Sequence, residues 1–421
     1  MKILIVSPRF PYKNGKADSM TVFHLIEFLT NRGHEVLLAT FNNRESFPES
    51  ERTYIKDICK AVKIVDLVRW KKGVRMGINI FRQQPFQVAY YKKQEMSACI
   101  HELIEEHQPD ILYAHLIRTA EYLKTYQDIP KILAMQIAQT LNYQRLIKHE
   151  GNFLRKLFYT REYQRVAKYE PKIVRPFERI LIISPHDKKA ISPNHIDHKV
   201  FYNPHGVDVK YYAENLKFDR SSNVIMMNGD FGVPTNIDGA LHFYKNIFPK
   251  IKASIPSIKL WLVGRNPHSS IEKLRQDEAV TVTGRVPDIR PYLQQATVAI
   301  APMRVAAGLQ NKILVSLASQ LPLVSTQIAN EGIGAPDGKV LLVAKNDHEF
   351  AKNVIHLLKN QALRQELGVN ALNFMQSKWT WNFHFEKLEE MMVELLKDQD
   401  KDVKNYYPFK DQLLIKKVLQ K

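Results

Sequence analysis

Within its first forty residues the chain runs through one complete strand–helix–strand unit, and this unit limits the fold more than any other feature. Met1 to Ser7 is an apolar, β-rich run, followed by the turn-forming Pro8-Arg9-Phe10-Pro11-Tyr12-Lys13-Asn14-Gly15. A helical pattern starts near Ser19, with Met20, Phe23, Leu25, Ile26 and Leu29, and stops at Arg32-Gly33. Glu35-Val36-Leu37-Leu38-Ala39-Thr40 then reads as a second strand. A helix spliced between two strands lets them lie parallel, so a doubly wound α/β sheet is expected. The pattern returns at 110–115, 131–135, 179–184 and 199–203.

A second series begins after Pro204-His205-Gly206-Val207-Asp208. Its strands are expected at 223–228, 258–264, 280–284, 298–302, 323–326 and 340–343, with helical patterns at 238–255, 269–276, 311–319 and 348–358. A chain of 421 residues is long for one core, and the break at about 203–208 divides it into two similar α/β domains with a cleft. Residues 380–400, with Leu388, Met391, Met392 and Leu395, form a final amphipathic helix, followed by a basic tail carrying Tyr406, Tyr407 and Phe409.

Charge follows the same division. The net charge of +18 is concentrated in residues 1–200, where 33 Lys and Arg face 21 Asp and Glu. Residues 201–400 hold 22 against 20. A basic first half suits an anionic partner, whether lipid headgroups, a phosphorylated substrate or nucleic acid, or else is a solvated basic surface. Residues 142–178 are a long basic and aromatic helical stretch, suited either to lying on anionic lipid or to packing on their own sheet. No apolar run approaches the ~20 residues of a membrane span. The start lacks a signal-peptide cleavage pattern, and two cysteines, Cys59 and Cys99, suit a reducing cytoplasm.

Ligands of open parallel sheets bind beyond the carboxyl ends of the strands. In the second domain those positions hold Gly229, Gly264-Arg265, Gly284-Arg285-Val286 and Arg304. Glycine allows close backbone approach and guanidinium makes bidentate bonds to phosphate, so the set reads as a diphosphate site or as plain turn glycines. The loop Gly308-Leu309-Gln310-Asn311-Lys312 opens a helix, whose N-terminus favours anions. No Walker A or G-x-G-x-x-G sequence is present, and no Cys/His cluster has zinc spacing. A metal site among His186, Asp187, His195, Asp197 and His198 is not expected. His115, at the end of a first-domain strand, is a candidate for bonding a substrate hydroxyl, for acid–base work, or for a structural role. No nucleic-acid motif accompanies the charge.

Asn203-Pro204-His205-Gly206-Val207-Asp208 and Val282-Thr283-Gly284-Arg285-Val286-Pro287-Asp288 resemble the GT-B glycosyltransferases of family 4. Pro11-Tyr12 with Gly15-Lys16, Leu141-Asn142-Tyr143, Leu262-Val263-Gly264-Arg265-Asn266-Pro267, Gly308 to Lys312 and Asn330-Glu331-Gly332-Ile333 are most like a branch associated with exopolysaccharide export and assembly. The resemblance implies a GT-B fold. Two Rossmann-like doubly wound domains, 1–204 on the acceptor side and 205–380 on the donor side, would face a cleft, and 381–421 would cross back toward the first domain.

It also implies metal-independent, retaining transfer of a sugar from a UDP- or GDP-linked donor, with no other cofactor. The acceptor would be a glycan or lipid-linked, nucleic acid would not be a partner, and the protein would be cytoplasmic, peripheral at the inner face of the cell membrane. Gly284, Arg285 and Val286 would frame the base. The Gly308 to Lys312 loop would meet the diphosphate, with Gly229, Gly264, Arg265 and Arg304 nearby. Gly15 and Lys16 would approach the donor phosphates or the acceptor, and His115 the donor sugar.

Two departures stand out. Many relatives place two glutamates eight positions apart around this loop, and those positions are Ala307 and Val315 here. Losing a carboxylate on the ribose hydroxyls removes charge-assisted bonds worth about 1.5–3 kcal/mol each. The basic pair that relatives carry after the first donor-domain strand is replaced by Asn228-Gly229-Asp230-Phe231, leaving Arg265, Arg285, Arg304 or Lys312 to neutralise phosphate. An alternative reading is therefore a catalytically impaired GT-B protein that partners an active transferase.

Overall fold

The computed structural model describes residues 1–13, 15–42, 49–67, 84–191, 197–214, 222–305 and 309–397. Ala307, Gly308, His195 and the basic tail lie outside the described residues. The first sheet has seven parallel strands: β1 (Lys2–Ser7), β2 (Glu35–Asn42), β3 (Ala61–Asp66), β4 (Ile111–His115), β5 (Lys131–Gln136), β6 (Arg179–Ile182) and β7 (Val200–Tyr202). Their order is β3-β2-β1-β4-β5-β6-β7. The second has six: β8 (Val224–Asn228), β9 (Lys259–Val263), β10 (Val280–Gly284), β11 (Val298–Ala301), β12 (Leu323–Thr326) and β13 (Leu342–Ala344), in the order β10-β9-β8-β11-β12-β13.

Both faces of the first sheet are covered. Leu4 and Val6 of β1 join one apolar core while Ile3 and Ile5 join another on the opposite face. That double burial is why the strand reads as a continuous apolar run rather than an alternating one. β3 escapes the sequence reading for the converse reason: it is an edge strand, half-buried, with Lys63 in its middle. The basic stretch expected over 142–178 is two helices, Gln139–His149 and Phe153–Ile173, separated at Gly151. The Asn152 side chain caps the second by accepting from the Arg155 amide at 3.1 Å.

The helix Trp381–Lys397 packs on the first domain. Trp381, Phe385, Leu388, Met392 and Leu395 recur at helical spacing and share a core with Val22, Ile26 and Leu29 of the helix Ala17–Asn31. Each such side chain contributes roughly 1.5–3 kcal/mol when fully buried. Buried Glu389 fixes the register, accepting from His34 Nε2 at 2.8 Å and pairing with Arg32 at 3.2 Å. Burial raises its carboxyl, but the His34 hydrogen bond and the Arg32 charge outweigh this and hold it below its ordinary value. Where the chain passes between domains, the Val207 amide donates to Trp379 at 2.8 Å. A Cβ on Gly206 would lie 2.3 Å from the Trp381 nitrogen, so only glycine fits that crossing.

Candidate functional site

In each sheet the chain winds outward to one edge and then returns to continue on the other side. The reversal falls between β1 and β4 in the first sheet and between β8 and β11 in the second. At such switch points the flanking loops part on opposite sides and leave a crevice beyond the strand ends. The residues at these two points therefore define the candidate site.

At the second switch point stands Lys312, in the first turn of the helix Asn311–Ala318. Its side chain is buried, and Nζ donates to Asn236 Oδ1 at 2.6 Å and Gln310 Oε1 at 3.2 Å, with Met303 Sδ at 3.3 Å. No carboxylate pairs with it among the described residues. Burial without a counter-charge pushes its ammonium down to about 7. Asn236 is itself oriented by donating to the Asp230 carbonyl at 2.9 Å. The neighbouring Asn311 accepts from His205 Nε2 at 2.5 Å, which ties the helix start to the interdomain linker. The first amides of a helix have no intrahelical acceptor, so this corner presents donors and positive potential.

The remaining donor-side positions are placed as follows. Gly229 and Gly264 face each other at the ends of β8 and β9: a Cβ on Gly264 would lie 1.7 Å from the Gly229 carbonyl oxygen. Close strand packing alone demands glycine there. Arg265 pairs with Asp230 at 2.9 Å and Arg304 pairs with Asp238, so both guanidinium charges are already compensated. Arg304 lines a cavity of about 330 Å³ shared with Thr326, Gln327 and Asp347, beyond β11–β13 and off the switch point. Gly284 is left-handed (φ 73°). Arg285 beside it is exposed and enters no ion pair with the described residues. Val286, Leu309 and Val315 are half-buried against the domain core.

At the first switch point, His115 ends β4 and is fully buried, and neither ring nitrogen has a hydrogen-bond partner. Burial drives its pKa down to about 4; nearby Asp18 pulls the other way, and Arg118, His205 and Arg9 add to the fall. Asp18 lies in the first turn of the helix Ala17–Asn31 and receives Arg9 Nη1 at 2.7 Å and 2.5 Å. Burial raises the Asp18 carboxyl, but Arg9, His115 and Arg118 together take it below its ordinary range. Gly15 and Lys16 lie in the loop ahead of this helix, with Lys16 at its N-cap. The sequence reading missed Arg9, Asp18 and Arg118. Arg9 follows the carboxyl end of β1 at Ser7, and that position is its signal in the sequence.

The two domains touch across the cleft. Arg145, on the helix after β5, pairs with Glu331 at 3.3 Å, and the Tyr202 hydroxyl donates to the Gly332 carbonyl at 3.3 Å. Among the described residues no group of three or more His, Cys, Asp and Glu is gathered as a metal site.

Residues 222–360 match the family model of glycosyl transferases group 1. Over 396 residues the chain is 24% identical to an uncharacterized 44.6 kDa protein in the cps region of Klebsiella pneumoniae, covering 90% of this chain and 96% of that one. Among solved structures it resembles HepE of Anabaena in complex with UDP and glucose, with a TM-score of 0.64 and 13% identity, covering 94% of this chain and 100% of that one. It also resembles sucrose-phosphate synthase of Thermosynechococcus elongatus, with a TM-score of 0.66 and 14% identity, covering 94% and 99%.

Proposed function

We propose that this chain, whose fold is GT-B and whose residues 222–360 match the group 1 glycosyl transferases, is a glycosyltransferase that moves a sugar from a nucleoside diphosphate donor to a glycan or lipid-linked acceptor. The observation that carries this reading is Lys312: a buried cation with only neutral partners, at the switch point of the second sheet and beside a helix N-terminus. Such a group lacks an anion, and a diphosphate supplies one. Supporting the choice of ligand, HepE is described with UDP and glucose, and the Klebsiella relative lies in a cps region.

In this reading Lys312 and the first amides of its helix hold the donor diphosphate, and exposed Arg285 adds charge. Gly284, Arg285 and Val286 border the base. His115, neutral at pH 7, offers one ring N–H and one lone pair to sugar hydroxyls from the opposite domain. Gly15 and Lys16 lie on the acceptor side. Leaving-group charge is met by Lys312 and helix amides, so the proposed transfer needs no metal, and its retention rests on the family resemblance alone. The protein works in the cytoplasm.

Val315 supports a second reading. It packs apolar surface where relatives place the ribose-binding acid, as expected of a protein that retains the fold as a partner for an active transferase. Isothermal titration with UDP, GDP and their sugars separates the two. Heat from one nucleotide, lost in Lys312→Met, supports the transferase; no binding by any of them refutes it.

A further inference from the structure

Among the described residues the large apolar side chains left in solvent are few, and four of them crowd onto one helix tip. Phe153, Leu154, Leu157 and Phe158 are 77%, 74%, 46% and 49% exposed. Their spacing of one, three and one residues puts them on one side of the first two turns of the helix Phe153–Ile173. A contiguous exposed apolar patch of this kind marks an interaction surface. The tip is a formed structure, since Asn152 caps it.

The charges of this helix are sorted by sign. Its two carboxylates are both turned inward: Glu162 is buried, accepting from the Phe86 amide at 2.8 Å and from Arg165, and Glu170 is buried on the Gln139 and Thr140 amides. Arg155, Lys156, Arg161, Lys168 and Lys172 are all exposed. The solvent face thus carries four apolar side chains, and every exposed charge on it is a cation.

From these observations we infer that the tip of the helix Phe153–Ile173 is a membrane-docking element that seats its apolar side chains among the headgroups of an anionic bilayer. Lipid satisfies both halves of the surface at once, since acyl chains take the apolar side chains and acidic headgroups take the cations. A second copy of this chain would set like charges against each other, and nucleic acid would leave the apolar patch wet. No described helix is long and apolar enough to cross a membrane, so docking would be interfacial. The preceding helix, which carries Arg145 at the cleft, packs Tyr143 against Tyr159 with ring centroids 6.3 Å apart. Docking at this tip therefore brings the cleft mouth to the bilayer. It refines the lipid-linked acceptor proposed above, but vesicle binding needs no catalysis.

The test is cosedimentation of the full chain with vesicles of neutral phosphatidylcholine or with about 30 mol% phosphatidylglycerol. Binding is expected only with the anionic vesicles, weakening as salt rises from ~50 to ~500 mM. Leu154→Ser/Leu157→Ser and, separately, Arg155→Glu/Lys156→Glu should each weaken it at least about tenfold. A Phe158→Trp variant should shift its emission to the blue on the same vesicles. Circular dichroism of each variant confirms folding whether or not nucleotide binds, which separates failure here from failure of the transferase reading. The idea is overturned if anionic vesicles capture nothing or if neither pair of changes alters capture. It also fails if sedimentation shows a dimer that the serine changes dissolve.

Discussion

The two switch points set a buried ionisable group in different surroundings. At the first, His115 gives up its charge, while the charges around it are matched within the protein, Arg9 against Asp18. At the second, Lys312 is buried with no carboxylate beside it, while Arg265 and Arg304 have taken the nearby acids. Imidazole sheds its proton at small cost near neutrality, whereas an ammonium does not. The first site is at rest without ligand. The second, about half protonated at pH 7 with no carboxylate beside it, is fully charged there only with an anion, and this asymmetry fits the proposed division into a donor side and an acceptor side.

Replacing Lys312 by methionine should have the largest effect. Nucleotide affinity is expected to fall at least about a hundredfold, as for loss of a buried charge-assisted contact. Stability should move the other way. The Lys312 pKa is about 7 when folded and about 10.4 when unfolded, so between these values the unfolded chain binds more protons. Wild-type stability contributed by this group therefore rises with pH across that window and is lowest below pH 7. Urea melts at pH 7 and pH 9 should show the rise in wild type and its loss in Lys312→Met. Equal pH slopes in the two proteins would mean that Lys312 is not the uncompensated cation.

The same proton sharpens the contrast through binding. A diphosphate selects the charged ammonium, so above pH 7 the ligand must bring in a proton. Affinity for UDP or GDP, whichever binds, should drop by about tenfold per unit between pH 7 and 9, with proton uptake visible as buffer-dependent heat. A pH-independent affinity would place the diphosphate elsewhere.

His115 sets the opposite limb. Its folded pKa near 4 lies below the ordinary 6.5, so it contributes stability above pH 6.5 that is lost as pH falls through 4. The loss is about 3 kcal/mol. His384, also buried and driven down to about 3, adds a share of its own. His115→Gln should make the acid-side slope in urea melts from pH 7 to 4 shallower than in wild type. It should also lower turnover by about 10²-fold while leaving nucleotide affinity unchanged. A loss of affinity instead of turnover would move His115 from the sugar to the phosphates.

How much of this was legible in the sequence follows from range. Strand ends and the helix start at Asn311 are local, and apolar runs with Gly and Pro punctuation announce them. β3 is local too, but an edge strand with Lys63 in its middle lacks the apolar signal. The pairing that defines the site is not local. Asn236 meets Lys312 across 76 positions, and Arg265 and Arg304 find Asp230 and Asp238 across 35 and 66. Composition at strand ends marked three cations as equivalent phosphate ligands, and only the fold shows which of them two aspartates had already claimed. Gly264 teaches the same lesson, because the Gly229 carbonyl requires it whether or not a phosphate comes near.

The smallest effect belongs to the contact that joins the two sides. Arg145 and Glu331 meet at 3.3 Å with side chains 20% and 27% exposed, a geometry in which an ion pair is worth about 0.2–1 kcal/mol. Arg145→Met keeps the aliphatic stem and removes the charge. It should leave the melting temperature within about a degree or two and change turnover less than about threefold, with the difference vanishing in high salt. Titration of Arg145→Met with nucleotide then decides what the pair does. Unchanged affinity leaves it a weak fastener between domains. A tighter nucleotide would mean that the pair holds the cleft in a state the donor must rearrange, so that the two switch points are coupled through it rather than acting independently.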